Sequence, residues 1–179
     1  NNKTMKKLIF ISLLFSILSL SVSAQKPTKA EKAAQLEQEF QQTRQLIESN
    51  HFQFELNRVY PQDGQDLSRF NPRGKFVITD SVAKGTLPFF GRAYSLPYGE
   101  GGGIEFDGVM KDQSLKIEHK KKRKILIYRF SITAKNDTYQ ISMEISGGGN
   151  CSVNLNSNNR AQISYSGTVS PVKDETGKS

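Results

Sequence analysis

The stretch Leu126–Ile145, LIYRFSITAKNDTYQISMEI, decides the fold. Apolar residues recur at every second position on either side of its polar centre, Asn136-Asp137, and polar residues occupy most of the positions between them. A period of two is the pattern of a strand with one buried and one solvated face, and an Asn-Asp pair favours a tight turn. The stretch therefore predicts an antiparallel hairpin whose two strands share one apolar face.

The same alternation extends from this hairpin in both directions. Turn residues at Gly147–Gly149 and Asn156–Asn159 separate the strands that follow, and a polar loop, Pro61–Gly74, interrupts those that precede. Further strands are predicted at 52–60, 76–79, 86–94, 104–106, 115–119, 151–155 and 161–169. Short strands joined by short turns predict an antiparallel β-meander of about eight strands, which twists and curls towards an open barrel.

Residues 25–50 precede the strands and have a helical composition. Thr28 is placed to cap a helix, with Glu31 three residues on as its capping-box partner. An apolar stripe at helical spacing comprises Ala33, Leu36, Phe40, Thr43 and Ile47. We expect this amphipathic helix to pack on the sheet, which gives an α+β fold; a partner-binding or dimerising helix is the alternative.

The first 24 residues have the pattern of a secretory signal. Lys6 and Lys7 precede an apolar run over 8–22, and small residues end at Ala24. That run is shorter than the roughly 20 residues of a spanning helix, so we expect cleavage near Ala24 rather than a retained anchor. Residues 1–4 are interpreted as upstream of the natural start.

One domain is expected after the signal, made of the helix at 25–50 and the β-region at 51–172. A polar tail follows at 173–179, where we expect disorder. The predicted location is the periplasm or the cell exterior.

The net charge is +8, of which Lys3, Lys6 and Lys7 of the predicted signal supply three, and one run carries the +5 that remains. Its residues are Lys120, Lys121, Lys122, Arg123 and Lys124. The run lies between two predicted strands and is expected to form a hairpin tip, either a solubilising turn or a contact with an anionic surface. Nucleic-acid binding would need a wider basic field with interleaved aromatic residues, so no nucleic-acid partner is predicted.

Cysteine and histidine are too few for several kinds of chemistry. Cys151 is the single cysteine, so no internal disulfide forms, and its place on an apolar strand face predicts a buried thiol. Only His51 and His119 are available to activate a nucleophile or to ligate zinc. No metal and no cofactor are predicted.

The segment Gly91–Phe106 is rich in glycine and tyrosine. Gly99–Gly103 is not interpreted as a phosphate loop, because a strand and not a helix N-terminus follows it. A bulged turn is the favoured interpretation, and a rim over a ligand pocket is the alternative.

Aromatic residues in this segment offer faces on which a sugar or an apolar small molecule can stack. The candidate ligand-binding residues are Arg92, Tyr94, Tyr98 and Glu100. The alternative is that these rings belong to the core and the sheet edge. A weaker candidate is a carboxylate set for hydrolysis at Glu100, Glu105 and Asp107, although a solvated strand face also explains these acids.

Several motifs together resemble one family. In order, they are Phe52-x-Phe54, Tyr60-Pro61, Val77-Ile78-x-Asp80, the run from Leu87 to Tyr94, and Pro97-Tyr98-Gly99-x-Gly101-Gly102-Gly103-Ile104-x-Phe106. This order resembles the uncharacterised DUF4251 family of secreted Bacteroidetes proteins and spans nearly the whole mature chain. The resemblance implies a Gram-negative envelope setting and an α+β structure with a mainly antiparallel sheet, and it brings no assigned activity.

The expected function is that of a non-enzymatic periplasmic or envelope protein that binds a small ligand or a partner with its curled sheet. The alternative is a structural or interaction protein of the envelope that uses its basic hairpin turn or a sheet edge. A hydrolase that depends on carboxylates is the weaker alternative. The pattern predicts no ligand identity and no oligomeric state.

Overall fold

The structure, a computed structural model, describes residues 28–95, 102–120, 123–134 and 137–173. Within these residues one α-helix, α1 (Lys29–Glu48), precedes eight strands. The strands are β1 His51–Pro61, β2 Lys75–Thr79, β3 Val82–Leu87, β4 Ile104–Lys120, β5 Arg123–Thr133, β6 Thr138–Ser146, β7 Asn150–Ser157 and β8 Ile163–Pro171. A short 3-10 turn at Ser68–Phe70 interrupts the loop after β1. The predicted signal segment lies outside the described residues.

The eight strands form a closed antiparallel barrel in sequence order. Each strand pairs with the next, and β8 pairs with β1 from Phe52↔Pro171 to Pro61↔Ile163. The prediction of an antiparallel meander of about eight strands is confirmed, and the barrel is closed where an open one was expected. Closure satisfies the outer main-chain groups of both terminal strands, which an open barrel would leave exposed.

The barrel interior is filled by apolar side chains, with a line of aromatic rings among them. Phe76 stacks on Phe54 with ring centroids 5.1 Å apart and packs on Phe106 at 5.8 Å. Phe106 in turn lies 6.1 Å from Tyr139. These distances are in the range of favourable aromatic pairs, so the rings join opposite sides of the barrel into one core.

Two glycines make room for these rings. A Cβ on Gly85 would overlap the Cβ of Phe76 on the neighbouring strand. A Cβ on Gly167 would overlap the Glu55 carbonyl oxygen and would lie 2.7 Å from the Phe54 ring. Without side chains, β3 and β8 lie directly against the two phenylalanines, which allows tight curvature at these points.

The start of α1 has the predicted capping box. The main-chain N–H of Thr28 donates to the Glu31 carboxylate at 2.6 Å, and the N–H of Glu31 donates to the Thr28 hydroxyl at 3.2 Å. These bonds satisfy donors that a helix start otherwise leaves without partners.

The second half of α1 packs on the barrel, and the predicted apolar stripe is only partly buried. Phe40, Thr43 and Ile47 are buried, whereas Ala33 is exposed and Leu36 is 63% exposed. Gly147, in the turn between β6 and β7, allows the close approach, since a Cβ there would lie 3.2 Å from the Phe40 main-chain nitrogen. No helix in the described ranges is long and apolar enough to cross a bilayer.

The strand predicted at 86–94 begins earlier, as β3 at Val82–Leu87, and ends before Pro88. Its inward positions are Ala83, Gly85 and Leu87. Two of these residues are small, so the sequence shows little apolar alternation there. Asp80, with a φ of 55°, makes the tight turn that separates β2 from β3.

The strands predicted at 104–106 and 115–119 are parts of one long strand, β4. Its register with β5 shifts between Lys111 and Ser114, and Asp112 in that interval has a φ of 53°. A bulge adds a residue and changes which positions face inward, from even-numbered to odd-numbered ones. The sequence therefore shows two short runs in place of one strand.

Candidate functional site

The outer face of β1–β4 carries a groove of about 970 Å³. Residues paired directly across neighbouring strands point to the same side of a sheet, so they form rows. One row is Gln53, Val77, Lys84 and Asp107, and the next is Glu55, Lys75, Thr86 and Glu105. All of these residues except Gln53 line the groove.

The floor of the groove lies where β3 is in direct contact with the core. Gly85 lines it at the point where β3 rests on Phe76, and the buried Leu56 of β1 and Phe106 of β4 line it as well. The Leu56 N–H donates to the Gly74 carbonyl at 3.0 Å, which carries the pairing of β1 with β2 one residue further. The floor is therefore mostly backbone and apolar carbon.

Charged side chains of both signs stand around this floor in equal number. The acids are Glu55, Glu105 and Asp107, and the bases are Arg73, Lys75 and Lys84. The Lys84 ammonium lies 2.7 Å from the Asp107 carboxylate, and the hydrogen bond between them raises the pKa of Lys84. The groove thus offers opposite charges over a short distance and an apolar surface between them.

The β1 side of the groove is held by a hydrogen-bonded chain. The Glu55 carboxylate accepts from the Gln53 amide at 2.9 Å and from the Lys173 ammonium at 3.0 Å. The Gln53 amide also lies 3.3 Å from the Ser170 hydroxyl, and Gln53 is buried. These contacts hold the Glu55 carboxylate in one orientation.

Sequence reasoning missed most of this site. Glu105 and Asp107 were singled out as acids, while Arg73, Lys75 and Lys84 were not, because alternating Lys and Glu are ordinary on the solvated face of a strand. Gly85 is the one local signal, since a glycine inside a strand indicates a bend or a close approach.

The segment after β3 lies at the end of the barrel that carries the β7–β8 connection. The helix α1 meets the opposite end, at the β6–β7 turn. The Tyr94 N–H donates to the Asn159 carbonyl at 2.7 Å, and the Ala161 N–H donates to the Arg92 carbonyl at 2.9 Å. The Tyr165 hydroxyl donates to the Pro88 carbonyl at 2.8 Å. We call residues 88–95 the cover segment; its main chain is attached to both the β7–β8 connection and the core.

A buried arginine lies beneath this segment. The side chains of Arg160 and Asp137 are each 5% exposed, and Arg160 Nε lies 3.8 Å from Asp137 Oδ2. Arg160 Nη1 donates to the Gly102 carbonyl at 3.2 Å, and its guanidinium stacks 5.2 Å from the Phe89 ring centre. Arg160 Nε has no hydrogen-bond partner among the described residues. A buried charge pair of this kind contributes little net stability, and the stacking of Arg160 on Phe89 connects it to the cover segment.

The predicted ligand residues are only partly described. The side chains of Arg92 and Tyr94 are exposed, Tyr94 by 67%, and neither residue lines the groove. Tyr98 and Glu100 lie outside the described residues. Ligand binding by these four residues stays a prediction.

The described carboxylates of the hydrolase candidate face solvent. Glu105 and Asp107 are exposed, and Asp107 is paired with Lys84. No group of three or more His, Cys, Asp or Glu side chains that could hold a metal is found in the described ranges. Cys151 is buried as predicted, and burial raises the pKa of its thiol, with the nearby Glu144 charge adding to the effect.

Both ends of the basic run are paired with acids. Lys120 lies 2.6 Å from the Glu144 carboxylate, and Lys124 lies 2.9 Å from the Glu37 carboxylate on α1. The hydrogen bonds from Gln41 and then Lys124 lower the pKa of Glu37. Lys121 and Lys122 lie outside the described residues, and Arg123 is exposed. The anionic-surface contact of this run stays a prediction.

Comparison with known proteins gives a family and a fold. A family model described as a domain of unknown function, DUF4251, matches residues 34–169. The crystal structure of a DUF4251 family protein from Bacteroides eggerthii superposes with a TM-score of 0.54 at 22% identity, covering 78% of this chain and 91% of that one. No curated protein matches the chain. The structural match supports the barrel architecture, and no activity is attached to either similarity.

Proposed function

The chain belongs to the DUF4251 family, and from that premise we propose that it is a non-enzymatic envelope protein that binds a small ligand in the groove on the outer face of β1–β4. One observation carries the proposal, namely a groove of about 970 Å³ with an apolar floor and an ordered set of charges at its margin. Ligand sites of roughly 300–1,000 Å³ with a few placed polar groups are typical of small-molecule binding.

The charged residues at the margin of the groove indicate the class of ligand. Acids and bases alternate along the row Glu55–Lys75–Thr86–Glu105, and the Thr86 hydroxyl lies between a base and an acid. A ligand with only one sign of charge would meet repulsion as well as attraction on such a surface. The groove fits a small zwitterionic molecule with an apolar part.

The outer face is preferred to the barrel interior because the interior is occupied by side chains. Phe54, Phe76 and Phe106 span it in ring-to-ring contact. A ligand would have to displace these rings, and each buried aromatic contributes several kcal/mol to folding, about 3–5 kcal/mol when truncated to alanine.

The absence of catalysis is part of the proposal. Asp107, one of the two described acids of the hydrolase candidate, is in an ion pair, and both acids are exposed to solvent. A general acid needs a raised pKa, which requires burial or a neighbouring like charge. The only cysteine is buried, where its thiol is a poor nucleophile.

The envelope location rests on the N-terminal sequence pattern, which is that of a cleaved signal. N-terminal sequencing of the protein from its own periplasm is expected to begin at Gln25. A mature protein that retains residues 8–22 would overturn this part of the proposal.

The first test is native mass spectrometry of the protein purified gently from its periplasm. A bound ligand is expected to add mass that disappears on denaturation. Thr86→Trp places a large ring in the groove and is expected to abolish the added mass. Thr79→Trp is the matched control, because Thr79 is an exposed threonine of the same sheet that does not line the groove.

Two outcomes contradict the proposal. Added mass that survives in Thr86→Trp would move the binding site away from the groove. A mass equal to the bare chain in the wild-type protein would favour the interaction-protein alternative, for which neutralising Lys120 and Arg123 is the next experiment.

A further inference from the structure

The C-terminal half of β4 is hydrogen-bonded to a neighbouring strand on one side only. β3 pairs with β4 only from Ile104 to Val109, and the Met110 N–H makes the next bond on that side, to the Ser81 carbonyl at 2.7 Å. β4 then continues to Lys120, paired with β5 alone. Within the described residues, no strand or loop hydrogen-bonds to the β3 side of β4 from Ser114 to Lys120. We call residues 114–120 the free edge.

Of the usual protections of an exposed strand edge, the free edge has charged side chains, at Lys116, Glu118 and Lys120. Proteins shield exposed edges with proline, bulges or covering loops, because a row of unpaired N–H and C=O groups is a template for another strand. The free edge has no proline, and its bulge lies before it, at Asp112. At its centre Ile117, a β-branched apolar residue, is 42% exposed. Burial of this side chain by another strand would remove apolar surface from water, which is favourable.

We propose that two copies of this chain pair through the free edge as antiparallel strands, with Ile117 opposite Ile117 of the partner subunit. In this register Lys116 lies opposite Glu118 of the partner subunit, and Glu118 lies opposite the partner's Lys116. Opposite charges directly across an antiparallel pair are favourable, and the two-fold axis gives this pair twice. The charge pattern of the edge is complementary to itself.

Shifting the centre by one residue either way is unfavourable. If the two-fold axis passed through Lys116, two lysines would lie directly opposite each other. If it passed through Glu118, two glutamates would lie directly opposite each other. Like charges in this position are destabilising, so the Ile117 register is selected by charge as well as by apolar contact. Antiparallel pairing also sends the two basic hairpin tips in opposite directions, with Lys120 opposite Ser114 of the partner subunit.

The surface is distinct from the groove, which involves β4 only at Glu105–Asp107. Dimerisation therefore goes beyond the proposed ligand binding and does not depend on it. Ligand-dependent mass and oligomeric state are separate measurements on one sample, so failure of either proposal is distinguishable from failure of the other.

Sedimentation velocity of the purified protein over a range of concentrations tests the pairing. A reversible dimer is expected. Lys116→Glu and Glu118→Lys each replace attraction by repulsion at both pairs and are expected to weaken dimerisation about tenfold or more. The double variant Lys116→Glu/Glu118→Lys restores the pairs with reversed polarity and is expected to recover dimerisation. Recovery by the double variant separates charge pairing from a general loss of folding.

Cross-linking gives an independent readout. Residues opposite each other across antiparallel strands have Cβ atoms roughly 4.5–5.5 Å apart, close enough for a disulfide after small adjustment. Ile117→Cys is expected to form a covalent dimer under mild oxidation. Val109→Cys is the matched control, since Val109 is an exposed apolar residue of the same strand that pairs with β3. The native Cys151 is buried and gives no background.

A monomer at every concentration overturns the proposal. So does a dimer that is insensitive to both charge reversals and gives no Ile117→Cys cross-link.

Discussion

The hydroxyl of Tyr165 donates a hydrogen bond to the main-chain carbonyl of Pro88 at 2.8 Å. Tyr165 is a buried residue of β8, and Pro88 is the first residue after β3, 77 positions earlier in the chain. The bond joins the core to the cover segment, which is also held by main-chain bonds to the β7–β8 connection and by packing of Phe89 and Phe90 on the core. Burial raises the pKa of Tyr165, so the hydroxyl stays protonated and remains a donor.

Tyr165→Phe is expected to release the start of the cover segment. The Pro88 carbonyl loses its partner, which costs about 1 kcal/mol in the free energy of unfolding. Urea denaturation measures this loss, and faster hydrogen exchange at the Tyr94 and Ala161 amides reports the loosened segment. Tyr94→Phe, at an exposed side chain, is the control. Unchanged exchange at both amides in Tyr165→Phe would show that the bond does not hold the segment.

Gly85→Ala is expected to destabilise the barrel. The added methyl would overlap Phe76, and overpacking of a core costs about 1–3 kcal/mol. Gly108→Ala is a matched control on the neighbouring strand, where the added Cβ would be 3.6 Å from its nearest neighbour, an ordinary contact. Thermal unfolding of both variants checks the difference. Equal stabilities would contradict the close approach of β3 to Phe76.

Arg160 and Asp137 are expected to be coupled. Arg160→Met leaves the buried Asp137 carboxylate without its counter-charge, and breaking a buried pair on one side typically costs about 3–5 kcal/mol. In Arg160→Met/Asp137→Asn no uncompensated charge remains, so the loss should be smaller than the sum of the two single losses. A double-mutant cycle from urea denaturation measures the coupling. Additive losses would mean that the two charges do not interact.

Stability is expected to fall at alkaline pH through Tyr128. Burial raises the pKa of this phenol from 10.0 to about 12, and its hydroxyl lies 3.0 Å from the side-chain amide oxygens of both Asn50 and Gln113. The unfolded chain therefore releases this proton at a lower pH than the folded protein. The contribution of Tyr128 is complete below pH 10 and is lost as the pH rises through about 12.

Tyr128→Phe removes this titration. Its free energy of unfolding should depend less steeply on pH between 10 and about 12 than that of the wild-type protein. Urea denaturation at a series of alkaline pH values checks this, with Tyr94→Phe as the control for loss of a tyrosine. An unchanged slope in Tyr128→Phe would assign the alkaline loss to other groups.

The strand pattern was readable from the sequence wherever inward residues are large. Leu126, Phe130, Ile141 and Ile145 alternate with polar residues, and their hairpin forms as predicted. β3 was placed too late because Ala83 and Gly85 contribute little apolar signal. β4 was divided in two because the bulge at Asp112 changes the phase of the alternation.

The groove was harder to predict from the sequence than the fold. Its acids and bases come from four strands and, at Arg73, from the loop before β2, and only the register between strands sets Thr86 beside Lys75 and Glu105. A sequence gives the face of each residue on its own strand. It does not give the offset between strands, which depends on turn lengths and bulges along the whole barrel.

Local chemistry by itself determined the helix start, the β-class and the buried place of Cys151. Capping needs residues three apart, and burial of one strand face needs only a period of two. Tertiary structure alone decided the closure of β8 on β1, the contact of Tyr165 with Pro88, and the free edge of β4. Each of these depends on residues far apart in the chain, whose meeting is fixed by the accumulated register and curvature of eight strands and by no local preference.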